Sequence, residues 1–250
     1  MQPIVRAQDI TKAFDTTPIV KGVSFQIGTG DLAAIIGPAG CGKSTLLRCL
    51  NGLEPLDSGS IEIFGVKMAR EPGAPAPTKE TARQLRQNVG MVLQGNNLFP
   101  HKTLLQNVMM APMVVRNAPR DEAAAIAERV LEKVGLAGEM DRYPIDLSGG
   151  QQQRGAIARA LALAPKVMLY DAPTAALEQA LVDEVLDVMK GLGGEGLTQI
   201  VVTDEIGFAR EACDRTLYME DGEIVEVLVK DEGAGGPKDP RTQTFLGRFA

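Results

Sequence analysis

The chain has 250 residues, with 26 Lys+Arg against 32 Asp+Glu and a formal net charge of −6. Apolar residues make up 44% and charged residues 23%, values of a chain with a core to bury, which excludes disorder as a description of the whole. Apolar runs such as Leu32–Ile36 fall far short of the about 20 residues a spanning helix needs, and the acidic balance speaks against a dedicated nucleic-acid binder.

The opening residues Met1–Gln8 hold no apolar signal core, which makes a cytoplasmic chain the expectation. Cys41, Cys49 and Cys213 match no zinc spacing. Their odd count argues for a reducing compartment rather than a disulfide framework.

Taken in order, short apolar strands alternate with helical stretches, the pattern of an α/β fold with a largely parallel sheet. Ile4–Phe14 and Ile19–Ile27 read as two early strands. Asp31–Ile36 is a buried strand, followed by a glycine-rich turn and a helix over Lys43–Leu50. Ser60–Phe64 and Gln87–Leu93 are further strands. From Gly95 to Leu147 the character turns helical. Thr103–Val115 is Met-rich, with Pro112 bending or ending a helix. Asp121–Val134 has Asp121 as its N-cap and an apolar face of Ala, Ile, Val and Leu, and Gly135 and Gly138 punctuate its end.

A helix over Gly149–Leu163 follows, then a strand Val167–Tyr170, a helix Leu177–Gly191 and a strand Gln199–Thr203. Thr216–Met219 and Glu223–Val227 flank Glu220-Asp221-Gly222, a hairpin signal. Glu71–Pro77 and Glu232–Pro237 read as flexible. The predicted organisation is one domain over 1–250. Its α/β core comprises 1–94 and 148–230, a helical subdomain occupies 95–147, and 231–250 form a tail.

Residues 37–44, Gly37-Pro38-Ala39-Gly40-Cys41-Gly42-Lys43-Ser44, fit G-x-x-x-x-G-K-[ST] between a predicted strand and a predicted helix. Glycines let the backbone turn its N–H groups onto phosphate oxygens, and the helix start adds its positive end. Lys43 would reach the β- and γ-phosphates and the Ser44 hydroxyl would ligate Mg²⁺. Thr45, next on the helix, is assigned to nucleotide binding with them. Asp171 ends the apolar run Val167–Tyr170, where a buried strand delivers a carboxylate to the metal. Cys41 lies in the loop beside Lys43 and a helix N-terminus, a setting expected to favour the thiolate.

Leu147-Ser148-Gly149-Gly150-Gln151-Gln152-Gln153-Arg154 is similar to the signature of ABC-type ATPases. The resemblance runs from Ile4 to Phe249. It implies an α/β P-loop NTPase (RecA-like) core with an antiparallel β N-terminal part and an inserted all-helical subdomain. It implies ATP and Mg²⁺ as cofactors, with Lys43, Gln94 and Asp171 in catalysis and Ser44, Gln94 and Asp171 at the metal. Gln94 resembles the family's Q-loop glutamine; a solvated loop amide is the other reading. Phe14 resembles an aromatic that stacks on adenine; it reads equally as a core residue at a strand end. Ser148, Gly149, Gly150 and Gln151 would contact ATP held by a partner subunit, although Ser-Gly-Gly alone is also an ordinary helix N-cap. Asn97-Leu98-Phe99-Pro100-His101, Gly207–Glu211 and Thr244–Phe249 resemble the polar-amino-acid uptake subfamily. In that subfamily an ATPase dimer at the cytoplasmic face of the plasma membrane drives an integral permease, fed indirectly by a substrate-binding protein.

Two positions depart from the family pattern. Ala172 stands where a catalytic glutamate is expected, and Asp204 where a histidine contacts the γ-phosphate. A methyl group accepts no proton, and a carboxylate repels phosphate. Losing a general base costs about 10²–10⁴-fold in rate. Rescue by Glu178, Asp204 or Glu205 is the alternative. Two functions therefore stand open: an importer's ATPase subunit, as a homodimer or heterodimer, or a degenerate subunit that binds ATP and completes another chain's site.

Overall fold

The computed structural model describes residues 3–95, 97–230 and 236–249. Most of Glu232–Pro237, expected to be flexible, lies outside the described residues. The strands form two sheets. β1 (Pro3–Phe14) and β2 (Thr17–Gly28) pair antiparallel and join β4 (Ser58–Ile63) and β5 (Val66–Arg70) in the order β2-β1-β4-β5. The second sheet contains β3 (Leu32–Ile36), β6 (Val89–Val92), β7 (Val167–Asp171), β8 (Thr198–Val202), β9 (Arg215–Glu220) and β10 (Glu223–Val229), in the order β10-β9-β3-β8-β7-β6. All pairings in it are parallel except β9–β10, the hairpin turned by Asp221-Gly222.

Strand parity decides what each core residue meets. All five residues of β3 are buried. Ala33 and Ile35 face the layer holding the four-stranded sheet and α1 (Lys43–Leu50), with Leu46, Leu47 and Leu50. Leu32, Ala34 and Ile36 face the other layer, packed by α3 (Leu104–Arg116), α4 (Arg120–Lys133), α5 (Gly149–Leu161) and α6 (Gln179–Gly194). On β7, Val167 and Leu169 belong to the α1 side, Met168 and Tyr170 to the other. Buried on both faces, these strands read as continuous apolar runs, as central parallel strands do.

Several expectations need correction. Asp121 is not an N-cap: α4 starts at Arg120 after Pro119, and Asp121 lies in its first turn. An acidic residue is favoured at either place, as a hydrogen-bonding cap or as a charge at the positive helix end, so residue type alone does not choose. Pro112 does not end α3. It sits inside the helix, which runs on to Arg116 and closes at Asn117 in the left-handed region.

Gln87 and Asn88 belong to the end of α2 (Lys79–Gln87) and its cap, not to β6. That helix went unpredicted, as did β5, α7 (Ile206–Ala212) and α8 (Pro240–Leu246). α2 buries only Ala82 and Leu85, too few apolar residues for a periodic signal. Glu71–Pro77 carries no helix or strand, and Arg70 ties it down by donating to Ala74 O (2.8 Å) and Leu56 O (2.6 Å).

Candidate functional site

Five parallel strands, β9, β3, β8, β7 and β6, deliver their C-terminal ends to one edge, where open α/β sheets bind ligands. β3 runs into residues 37–42, and α1 follows. Gly37 has φ +148, and a Cβ there would lie 1.9 Å from Met219 O; at Gly42, φ +106, it would lie 2.7 Å from Ile19 O. The turn is wedged between the ends of β9 and β2, and only glycine fits at these two points. Gly222 N donates to Cys41 O (3.1 Å) and Lys21 N to Gly222 O (2.8 Å), so the β9–β10 turn braces the loop. Lys43 Nζ folds back onto the carbonyls of Gly37 (2.6 Å) and Pro38 (2.9 Å). Pro38, Ala39 and Gly40 form the loop's outer rim, and Thr45 is half-buried on α1.

The parity that turns Val167 and Leu169 toward α1 also turns Asp171 there. Its carboxylate is fully buried. Ser44 Oγ donates to Asp171 Oδ1 at 2.5 Å, and Arg48 donates to Oδ2 at 3.0 Å. Arg48 was missed from the sequence. The only signal for it was a cation one helical turn beyond Ser44, on the face that meets β7. Among the described residues no three His, Cys, Asp or Glu side chains converge to hold a metal. A hydroxyl touching one carboxylate is nonetheless the donor set of a hard cation that takes its remaining oxygens from phosphate and water. The residues present therefore fit Mg²⁺ bound together with a nucleotide.

Ala172 follows Asp171 in the left-handed region, φ +47, with its N–H donated to Val202 O at 3.0 Å. Asp204 follows β8, and its carboxylate lies 3.9 Å from Lys43 Nζ. Glu178 and Glu205 precede α6 and α7, at the N-cap position of each. Gln94 is exposed in the loop after β6, at the same sheet edge. Its carbonyl accepts from Asn97 at 3.5 Å.

The remaining predicted site residues keep local company. Ser148 caps α5 in a reciprocal box: Ser148 Oγ accepts from Gln151 N (3.1 Å), and Gln151 Oε1 accepts from Ser148 N (2.9 Å). A Cβ on Gly149 would approach Leu177 to 3.0 Å, and one on Gly150 would meet Leu181 at 3.3 Å. Phe14 is not a core aromatic. It is 45% exposed, with the Lys12 ammonium 5.1 Å from its ring centre. Cys41 corrects the reactive-thiolate expectation. Burial pushes its thiol up from the ordinary value, and the opposing pull of Lys43 is the smaller effect. Its Sγ donates to Met219 O at 3.2 Å. Contacts thus join Ser44 and Arg48 to Asp171, and Lys43 to Asp204, around the start of α1, while Phe14, Gln94 and Ser148–Gln151 each lie in their own surroundings.

Residues 20–175 match the family model described as ABC transporter. The glutamine transport ATP-binding protein GlnQ of Bacillus subtilis (strain 168) is 45% identical over 246 residues, 98% of this chain and 99% of that one. The L-cystine transport system ATP-binding protein TcyN of Escherichia coli (strain K12) is 43% identical over 245 residues, 98% of each. The dimeric ATP-binding cassette MJ0796, in a post-hydrolysis state bound to ADP and Pi, superposes with a TM-score of 0.78 at 31% identity, over 90% of this chain and 98% of that one. A motif-bearing match across more than half the chain, relatives alike over nearly their whole length and a shared cassette fold agree: the chain belongs to the ABC transporter family.

Proposed function

We propose that this chain binds Mg-ATP between Gly37 and Thr45 and serves as the ATP-binding subunit that energises a membrane importer of polar amino acids. The observation that carries the reading is the cluster of Lys43, Ser44 and Asp171 at the sheet edge, behind a loop that only glycine can turn. The glutamine and cystine transport relatives support the substrate class. The loop amides and Lys43 hold the phosphates. Ser44 and Asp171 hold Mg²⁺, with Gln94 as a further ligand; bound there, the ion neutralises charge on the phosphate oxygens. Phe14, exposed and flat, offers its face to adenine.

Two copies, or this chain and another ABC ATPase, would sandwich each nucleotide. The Ser148–Gln151 end of α5 would face ATP held by the partner, as a helix N-terminus faces an anion. The segment 95–147 would dock on an integral permease at the cytoplasmic face, with a substrate-binding protein acting further upstream. No helix among the described residues is long and apolar enough to cross a membrane, in keeping with a peripheral subunit.

A second reading is favoured by Ala172 and Asp204: the chain's own site holds nucleotide and turns it over slowly, while its Ser148–Gln151 segment completes a competent partner's site. Ala172 offers no acceptor for a water proton. The experiment is titration of Mg-ATP into the chain and into Lys43→Ala, followed by single-turnover hydrolysis alone and with a permease. Equal ATP affinity in the two proteins refutes the cradle. Hydrolysis by the unmodified chain at ordinary ABC ATPase rates refutes the slow-site reading.

A further inference from the structure

We infer that Asp204 makes this cradle prefer a nucleoside diphosphate to a triphosphate. The inference rests on Gly37–Thr45 being a nucleotide cradle, and it specifies which nucleotide the site retains. Each cation of the cluster already has a carboxylate. Arg48 holds Asp171 at 3.0 Å, and Lys43 lies 3.9 Å from Asp204. Asp204 thus screens Lys43, which weakens but does not abolish the attraction of its ammonium for a phosphate tail. The loop amides, the positive end of α1 and any metal brought by the nucleotide add to that attraction.

The two carboxylates are not equivalent. Asp171 is fully buried and locked by Ser44 and Arg48. Asp204 has an 84% exposed side chain, while that of Lys43 is 9% exposed and enclosed by Gly37 O and Pro38 O. Asp204 therefore sits on the solvent side of the ammonium, where the last phosphate of a bound chain would arrive. In a loop of this type the lysine reaches the phosphates furthest from the nucleoside. A diphosphate can fill the amide-lined turn and stop short of Asp204. A triphosphate places an extra anionic group against that carboxylate, or requires Lys43 to exchange Asp204 for phosphate.

At the high effective dielectric of an exposed group, repulsion across about 5 Å is enough for roughly a tenfold change in affinity. A tenfold preference lengthens the time the site spends with diphosphate, although excess triphosphate still exchanges it by mass action. In a two-site assembly such a site would carry a smaller share of turnover than its partner.

The test is calorimetric titration of the full chain with Mg-ADP and with the Mg complex of β,γ-imido-ATP, repeated on Asp204→Asn. In the unmodified chain the diphosphate should bind about tenfold more tightly. In Asp204→Asn both nucleotides should bind more tightly as Lys43 is freed, the triphosphate analogue by several-fold more than ADP, so that the ratio falls toward one. A triphosphate analogue binding as tightly as ADP to the unmodified chain overturns the inference. A ratio that Asp204→Asn leaves in place assigns the preference to other groups and overturns it as well. If neither nucleotide binds to either protein, the cradle reading itself falls, an outcome distinct from equal binding of both.

Discussion

Ala172, which under the slow-site reading stands where a base is needed, occupies a costly backbone position. A non-glycine residue at φ +47 carries a strain of about 1 kcal/mol or more. Alanine already carries it, since the strain comes from the Cβ. Replacing alanine by glutamate therefore adds a carboxylate without adding backbone cost. Ala172→Glu should raise single-turnover phosphate release by about 10²–10⁴-fold. Asp204→His alone should raise it little, because it supplies no base. Quench-flow measurement of both variants decides this, and an unchanged rate in Ala172→Glu would show that Ala172 does not limit turnover.

Arg48 invites a separate test. Arg48→Ala leaves the buried Asp171 carboxylate with Ser44 as its only described partner. The loss should be about 1–2 kcal/mol, the lower part of the range for such pairs, because Arg48 stands half in water. Denaturant melts would show it as a lower midpoint at unchanged slope. Cys41, buried and with its thiol raised above the ordinary value, should react slowly with iodoacetamide at neutral pH, with or without nucleotide. Rapid labelling measured by intact mass would contradict the buried setting.

Among the elements, the β3–α1 turn is constrained from outside its own sequence. The carbonyls of Met219 and Ile19 press on Gly37 and Gly42, and the β9–β10 turn bonds to Cys41. Gly37→Ala would place a methyl 1.9 Å from Met219 O, so the loop or β9 must move. Nucleotide affinity should fall at least tenfold, with a loss of stability above about 2 kcal/mol, read by calorimetric titration and thermal melts. The start of α5 behaves differently. Its capping box is local, and Ser148→Ala should cost about 1 kcal/mol, leaving binding to the chain's own loop untouched.

For the whole molecule, the organisation places the cradle at the end of the parallel sheet, with α5 packed against α3, α4 and α6 in the helical layer. On the proposed reading, the loop and the start of α5 face nucleotides of different sites, and a second chain would close each. Saturating Mg-ATP should convert the 26.6 kDa chain to a dimer in light scattering. Lys43→Ala should remain monomeric under the same conditions. A dimer forming equally without nucleotide would show that ATP is not the bridge.

The sequence by itself determined what depends on short range. The loop motif, the strand ending in Asp171, the alternation of strands and helices and the cap at Ser148 are carried by a few adjacent residues whose backbone demands are strict. Asp121 shows the limit of that reasoning, because a carboxylate suits both a cap and a first helical turn. Tertiary structure decided the contacts between distant segments. Arg48 and Asp171 are 123 residues apart and meet only because β7 parity and α1 share a face. Met219 and Ile19 restrict the loop from other strands. α2 carries local signals of its own, the Thr78 cap and the Glu80–Arg83 pair, and packs on β5 and β6. Local conformational preference acts over a turn or a strand, while burial and charge pairing act wherever the fold brings groups together. For that reason the Lys43–Asp204 contact could be named as two residues in the sequence, but became a pair only in three dimensions.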